Sequence, residues 1–337
     1  MAMNLDRISA DAGEHDAPPD LVVLIEEACN RVYGLARQTP VARLPRDPRV
    51  PKSTRVFAKM EQQQITGSFK LRGASNKIFS LSREVAAKGV VASSTGNHGL
   101  GVSAAAKFRG VDAEIFLASQ VPEAKWKKIE SYGARIRKAG HDPLAAEIAA
   151  RVASEASGRT YISPYNDWQV VAGQGTIAVE LMRQVEPLDA VFIATGGGGL
   201  ISGVGAYLRA RSPQTEIVGC WPENSRVLYQ CIQAGRVIEY PERYTLSEST
   251  AGGVERGSIT FELAQRAIHR SLLVSEDAIL EAMRWAHDRG WTIEGAAGVA
   301  LAALFQDAAR YEGKNVVVIF CGGNLSPDVR HRLEQAT

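Results

Sequence analysis

The stretch Leu188-Asp189-Ala190-Val191-Phe192-Ile193-Ala194-Thr195-Gly196-Gly197-Gly198-Gly199-Leu200-Ile201-Ser202-Gly203 passes from a short apolar run through four glycines into a helical pattern. The apolar run is too short for a helix and reads as a buried strand. Consecutive glycines let the backbone turn sharply and present its N–H groups without side-chain obstruction. A helix opening near Leu200 adds a field that favours an anion. A phosphate suits this arrangement. The dinucleotide fingerprint GxGxxG is out of register, because Ile201 stands where its third glycine belongs, and no P-loop lysine follows. A phosphate here therefore belongs to neither a dinucleotide nor ATP. A ligand-free tight turn is the competing reading of this segment alone.

The same order of strand, loop and helix recurs along the chain. Short apolar runs, most of them rich in Val and Ile, predict strands over 55–60, 89–93, 113–118, 134–138, 189–195, 216–221 and 315–321. Helical periodicity covers 69–81, 100–109, 124–132, 144–156, 176–184, 200–211, 276–289 and 296–309. This alternation predicts an α/β protein whose sheets are parallel or mostly parallel and covered by helices. Ligands of such sheets sit beyond the carboxyl ends of the strands, where the glycine-rich segments fall. Residues 89–165 read as a compact α/β unit. We expect a loose polar tail over 1–20, a large domain over 21–85 and 167–337, and a small domain over 86–166. A cleft between two such domains is a common ligand site.

Composition removes several function classes. A net charge of +2 without basic or acidic blocks gives no case for nucleic acid or a membrane surface as partner. No apolar run approaches the roughly 20 residues of a membrane span. The four cysteines, Cys29, Cys220, Cys231 and Cys321, have no CxxC spacing, which points to a reducing, cytoplasmic setting. The histidines are scattered without HExxH, so no metal site is expected.

Three further segments carry chemistry. Ser94-Thr95-Gly96-Asn97-His98 follows a predicted strand and precedes a helix. Its amides and hydroxyls suit a substrate carboxylate, and an ordinary N-cap loop is the equal alternative. His98 reads more readily as held by backbone than as a base. Lys70, in Ser68-Phe69-Lys70-Leu71-Arg72-Gly73-Ala74, opens a helical pattern. A helix N-terminus favours the neutral amine that imine formation requires, although most lysines are simply solvated. Cys321 ends the apolar run 316–320 and precedes Gly322-Gly323-Asn324. Such a thiol is usually inert filler, but here it ends a strand at the face where the other loops gather.

Together these segments resemble the fold-type II pyridoxal phosphate enzymes, and within them the serine/threonine dehydratase and serine racemase family, from Gln38-Thr39-Pro40 onward. The resemblance implies a tryptophan synthase beta-like fold with pyridoxal 5'-phosphate in the interdomain cleft, and a homodimer. It implies that Lys70 holds the cofactor as an imine and then serves as proton acceptor at the substrate Cα. Phe69 would pack beside the cofactor and Asn97 would bond its ring hydroxyl. Gly196, Gly197, Gly198, Gly199 and Leu200 would form the phosphate cup, and Cys321 would face the ring nitrogen. Ser94, Thr95, Gly96, Asn97 and His98 would grip the amino acid substrate. The implied reaction is β-elimination of water from a 3-hydroxy amino acid, threonine or serine by default, giving a 2-oxo acid and ammonia. An amino acid racemase is the alternative, as is a dehydratase for hydroxyaspartate or a hydroxylated diamino acid.

Three departures bear on that expectation. Trp221 and Val227 stand where acidic residues would help bind a divalent cation, leaving only Glu223 nearby. Thr95 occupies the place of a serine that acts from the opposite substrate face in racemases, so proton transfer there stays open. Gly252-Gly253-Val254 replaces an alanine-aspartate-glycine, and Glu255-Arg256 follow. Arg256 reads either as a recogniser of a second acidic group or, more commonly, as a surface salt-bridge partner. The chain ends soon after Cys321, from which we expect a catabolic or specialised enzyme without a regulatory C-terminal module.

Overall fold

A computed structural model describes residues 18–121 and 123–334. Its strands are β1 (Val41–Arg43), β2 (Arg55–Lys59), β3 (Val90–Ser93), β4 (Ala113–Leu117), β5 (Arg135–Lys138), β6 (Thr160–Tyr161), β7 (Ala190–Ala194), β8 (Glu216–Pro222), β9 (Arg270–Val274) and β10 (Asn315–Ile319). They form a six-stranded sheet ordered β1-β2-β10-β7-β8-β9 and a four-stranded sheet ordered β5-β4-β3-β6. Every pairing is parallel except β1 with β2. The expected α/β architecture of mostly parallel sheets is therefore present. In the central strands β7 and β10 every residue is buried. Strands covered on both faces carry unbroken apolar runs, which is why these two are plain in the sequence.

The helices are α1 (Leu21–Val32), α2 (Lys70–Ser80), α3 (Arg83–Ala87), α4 (Asn97–Arg109), α5 (Glu123–Ser131), α6 (Pro143–Ser157), α7 (Trp168–Gln184), α8 (Gly199–Arg211), α9 (Val227–Ala234), α10 (Ile259–Ala267), α11 (Glu276–His287), α12 (Gly295–Asp307) and α13 (Pro327–Glu334). Helix α12 lies on β7 through β10, whereas α4 and α6 cover β3 and β4. Helix α2 packs on both α4 and α7, so its first residue stands between the two sheets.

Elements absent from the sequence reading include the twelve-residue helix α1, and the others are short or mixed in character. Strand β6 has two residues, β1 has three, and β9 is half-buried with a polar start. Helix α7 begins eight residues ahead of the expected 176 because Gly173 and Gly175 mask its first half. A Cβ on Gly203 of α8 would lie 2.3 Å from Val171 O and 2.7 Å from Gly175 N. Glycines here allow two helix backbones to touch, a tertiary requirement that overrides low helix propensity. Of the expected tail, residues 1–17 lie outside the described residues, and Asp20 accepts from Val22 N at 2.9 Å to cap α1.

Candidate active site

Lys70 is placed by a stitch between α2 and the end of β10. Ser68 and Gly322 form an isolated antiparallel bridge. Phe69 N donates to Cys321 O at 2.9 Å, and Gly323 N donates to Gly67 O at 3.0 Å. Lys70 and Cys321, far apart in sequence, thus meet through backbone bonds. Lys70 Nζ donates to Pro164 O at 2.8 Å. Burial pulls the amine down to about 8, against the pull of Cys321 and Glu294. A larger share of neutral, nucleophilic amine is therefore present near neutral pH than in a solvated lysine.

Strand β7 delivers the glycine loop to the same place. Gly198 has φ of 88°, in the left-handed region that glycine tolerates, and it caps α8. A Cβ on Gly196 would lie 2.7 Å from Thr250 O, and one on Gly197 would lie 2.6 Å from the Tyr165 ring. The first amides of α8 have no carbonyl of their own helix to bond. Gly196, Gly197, Gly198, Gly199 and Leu200 line one small cavity with Phe69, Lys70, Asn97 and Cys321. Burial, with Glu294 nearby, raises the Cys321 thiol well above its usual range, so it is neutral.

A larger cavity of about 560 Å³ adjoins it and shares Lys70 and Asn97. Ser94, Thr95, Gly96 and His98 line this space. Helix α4 starts at Asn97 rather than at the expected 100, so Asn97 and His98 occupy its first turn. Thr95 and Gly96 are exposed, and Gly96 N donates to Ser94 Oγ at 3.2 Å. His98 lines the cavity, but its Nε2 lies 2.8 Å from Ile162 O. Burial, reinforced by Lys70, holds the imidazole down to about 3, so the ring is neutral and donates to that carbonyl.

Glu294 is the residue that the sequence reading missed. It is buried, lines the larger cavity, and accepts from Asn97 Nδ2 at 2.8 and 3.0 Å and from Ser249 Oγ at 2.8 Å. Asn324 Nδ2 donates to Asn97 Oδ1 at 2.7 Å, so both ends of the Asn97 amide are fixed. Burial raises the Glu294 carboxyl, while the bonds from Asn97 and Ser249 oppose the rise. The signal was available: a lone carboxylate inside the apolar stretch 291–304 needs partners if it is buried.

An amine able to attack an aldehyde, a glycine cradle under a helix N-terminus, a fixed amide and a neutral thiol thus surround one space. A family model described as pyridoxal-phosphate dependent enzyme matches residues 32–322. The chain belongs to this family. A catabolic L-threonine dehydratase of Staphylococcus aureus (strain N315) is 35% identical over 305 residues, covering 89% of this chain and 88% of that protein. The processed form of threonine deaminase isoform 2 from Solanum lycopersicum superposes with a TM-score of 0.86 at 29% identity, covering 96% of this chain and 90% of that one. Serine racemase from Dictyostelium discoideum superposes with a TM-score of 0.83 at 33% identity, covering 90% of this chain and 98% of that one.

The residues present fit pyridoxal phosphate, since each of its polar groups has a counterpart around the cavity: the glycine cradle, Lys70, Asn97 and Cys321. Of the three departures from the family pattern, Thr95 lines the adjoining cavity and the other two lie elsewhere. Trp221 is fully buried, 5.6 Å from the Tyr229 ring, and Val227 is buried at the start of α9. Glu223 is exposed, and among the described residues no three His, Cys, Asp or Glu side chains are grouped to hold a metal ion. Arg256 is exposed and lines neither cavity. The salt bridge of that segment belongs to Glu255, which pairs with Arg151 at 2.8 Å.

Proposed function

We propose that the chain is a pyridoxal-phosphate-dependent ammonia-lyase that removes water from a 3-hydroxy amino acid, threonine, serine or a close relative. The observation that carries this reading is Lys70, whose depressed amine opens both on the glycine cradle and on the cavity lined by the Ser94 loop. The cofactor, when bound, supplies an electron sink for negative charge at the substrate Cα. The chain's own residues supply the rest. Gly196, Gly197, Gly198, Gly199 and Leu200 present backbone amides to the phosphate. Phe69 would pack alongside, and Asn97, held by Glu294 and Asn324, would orient the ring through its hydroxyl. Cys321 would lie toward the ring nitrogen and, being neutral, would hold no proton there, which would weaken the sink and suit prompt elimination. Ser94, Thr95 and Gly96 bind the substrate carboxylate, and His98 fixes their loop through Ile162. Lys70 would hold the cofactor at rest through its amine and would take the Cα proton during turnover. In balance, the Cα proton and the Cβ hydroxyl leave as water, and the enamine hydrolyses to a 2-oxo acid and ammonia.

Coupled detection of 2-oxo acid from a panel of hydroxy amino acids tests this; release from none of them overturns it. A racemase is the second reading, because Thr95 places a hydroxyl on the same cavity as Lys70. Chiral chromatography after incubation with L-serine reads that activity directly. Under the elimination reading Thr95→Ala raises KM through the lost carboxylate contact but keeps oxo acid release at saturating substrate, whereas any D-serine formation is lost.

Two further outcomes are expected. Capture of the cofactor by the apo chain needs the neutral amine, and the Lys70 value is depressed. The capture rate therefore climbs as pH rises toward about 8 and levels off above it. Stopped-flow absorbance across that range checks this, and a flat profile contradicts it. Glu294→Gln sets an amide donor against Asn97 Nδ2. We expect kcat/KM to fall about 10- to 100-fold, the loss of one charge-assisted hydrogen bond, with thermal stability nearly unchanged.

We take the site to lie between a large domain over 21–85 and 167–337 and a small domain over 86–166. The enzyme is read as a cytoplasmic homodimer. All four cysteines are free, which suits a reducing compartment, and two-fold dimers are the commonest oligomer. No helix among the described residues is long and apolar enough to cross a membrane. Light scattering on the purified holoenzyme checks the dimer.

A further inference from the structure

The segment after β6 touches both halves of the cofactor site. Pro164 O accepts from Lys70 Nζ at 2.8 Å. The next residue, Tyr165, lies against the glycine loop, where a Cβ on Gly197 would come 2.6 Å from its ring and one on Gly199 would come 3.1 Å from its Cα. One short connector therefore sets the seat of Lys70 and one wall of the phosphate cradle. The opposite wall is the segment around Thr250 and Thr260. Thr250 backbone lies against Gly196, and Thr260 Oγ1 donates to Gly197 O at 2.6 Å.

Glu255 stands in the loop between those two threonines and ties the walls together. Its backbone N donates to Tyr165 Oη at 3.1 Å. Its carboxylate accepts from Asn166 Nδ2 at 2.8 Å and pairs with Arg151 at 2.8 Å. Asn166 Oδ1 accepts in turn from Ile259 N at 3.1 Å. Arg151 belongs to α6, over the four-stranded sheet, and its guanidinium lies 4.3 Å from the Tyr161 ring centroid. The tie thus joins a helix of the smaller sheet to the loop that frames the cradle on the larger one.

We infer that Glu255 is a positioning residue that, with Arg151 and Asn166, clamps the connector through Pro164 and Tyr165 and thereby sets the grip on the cofactor. This rests on the cofactor occupying the glycine cradle, but not on which amino acid is the substrate. The clamp acts on two contacts at once, the Lys70 seat and the Tyr165 wall, so loosening it affects retention more than folding.

The test titrates the apo chain with pyridoxal phosphate by absorbance and follows thermal unfolding of the same apo samples. Glu255→Ala is expected to weaken cofactor binding about tenfold, the loss of its charge-assisted contacts, with a small change in apo unfolding. Glu255→Gln keeps an acceptor for Asn166 but drops the charge facing Arg151, and falls between wild type and Glu255→Ala. Arg151→Ala matches Glu255→Gln, and the double change Arg151→Ala with Glu255→Ala is no worse than Glu255→Ala alone. Arg256→Ala, its exposed neighbour, leaves binding unchanged. Cofactor binding by Glu255→Ala within about twofold of wild type, the scatter of independent sites, overturns the inference. So does a fall in apo stability without a change in affinity. If Glu255→Ala fails to fold, Glu255→Gln and Arg151→Ala carry the same test, and wild-type affinity in both overturns it. Failure of wild type to bind the cofactor instead refutes the functional reading.

Discussion

Lys70→Ala leaves a folded chain that releases 2-oxo acid at least about 10⁴-fold more slowly than wild type, because two functions vanish with one amine. The proposed covalent hold on the cofactor is lost, and so is the proposed proton acceptor for the substrate Cα. Folding is spared, since the Lys70 side chain makes one hydrogen bond, to Pro164 O. Lys70→Arg separates charge from chemistry. A guanidinium keeps the charge and reach but stays protonated, so it neither joins an aldehyde nor accepts a proton. Both variants are assayed for oxo acid with cofactor in excess and for the absorbance of protein-bound cofactor. Appreciable turnover by Lys70→Ala means that another group is the base.

Arg72→Ala is expected to cost about 3–5 kcal/mol of stability, the usual consequence of removing one partner of a buried ion pair. Arg72 is fully buried two residues after Lys70. Its Nε and Nη2 donate to Glu61 at 2.8 and 2.7 Å, and its Nη1 donates to Glu180 at 2.6 Å. Lys59, also fully buried, pairs with Glu180 and donates to Thr39 O at 2.7 Å. Two cations and two carboxylates balance in a buried site. Burial pushes the Glu61 carboxyl up, but Arg72 and Lys59 outweigh it and hold it low. Removing the guanidinium leaves Glu61 without its forked partner. Arg72→Lys rescues little, because an ammonium cannot bond both carboxylates in the same plane. Urea denaturation of apo samples reads the loss. A midpoint equal to wild type shows that the cluster contributes nothing to stability. The cluster joins the first turn of α2 to α7, so kcat is expected to fall in any Arg72 variant that still folds.

The pattern of legibility follows burial. Strands β7 and β10 are covered on both faces, and their unbroken apolar runs reveal them directly. Strand β9 mixes polar and apolar residues at an edge, so its sequence resembles a loop. The first half of α7 was hidden by Gly173 and Gly175, which serve a helix crossing rather than the helix itself. Lys70, Asn97, the glycine loop and Cys321 were visible because each sits at the end of a strand or the start of a helix. Glu294 was passed over although it is the lone carboxylate of the apolar stretch 291–304, because its role follows from burial against Asn97 and not from a motif. The segment 252–256 was noticed for Arg256, whereas Glu255 is the residue tied into the site.

The sequence alone determined the alternation of strands and helices, and with it the α/β class. It also showed that an amine, a glycine loop, an amide and a thiol each occupy a turn where ligands of such folds gather, because these signals are local to a few consecutive residues. Only the tertiary structure brought Lys70 beside Cys321 through the Ser68–Gly322 bridge, and Glu294 beneath Asn97. Only it showed the balanced cluster of Lys59, Glu61, Arg72 and Glu180 behind α2. Those contacts join residues far apart in the chain, and their energetics depend on burial and partner geometry, which no short stretch of sequence encodes.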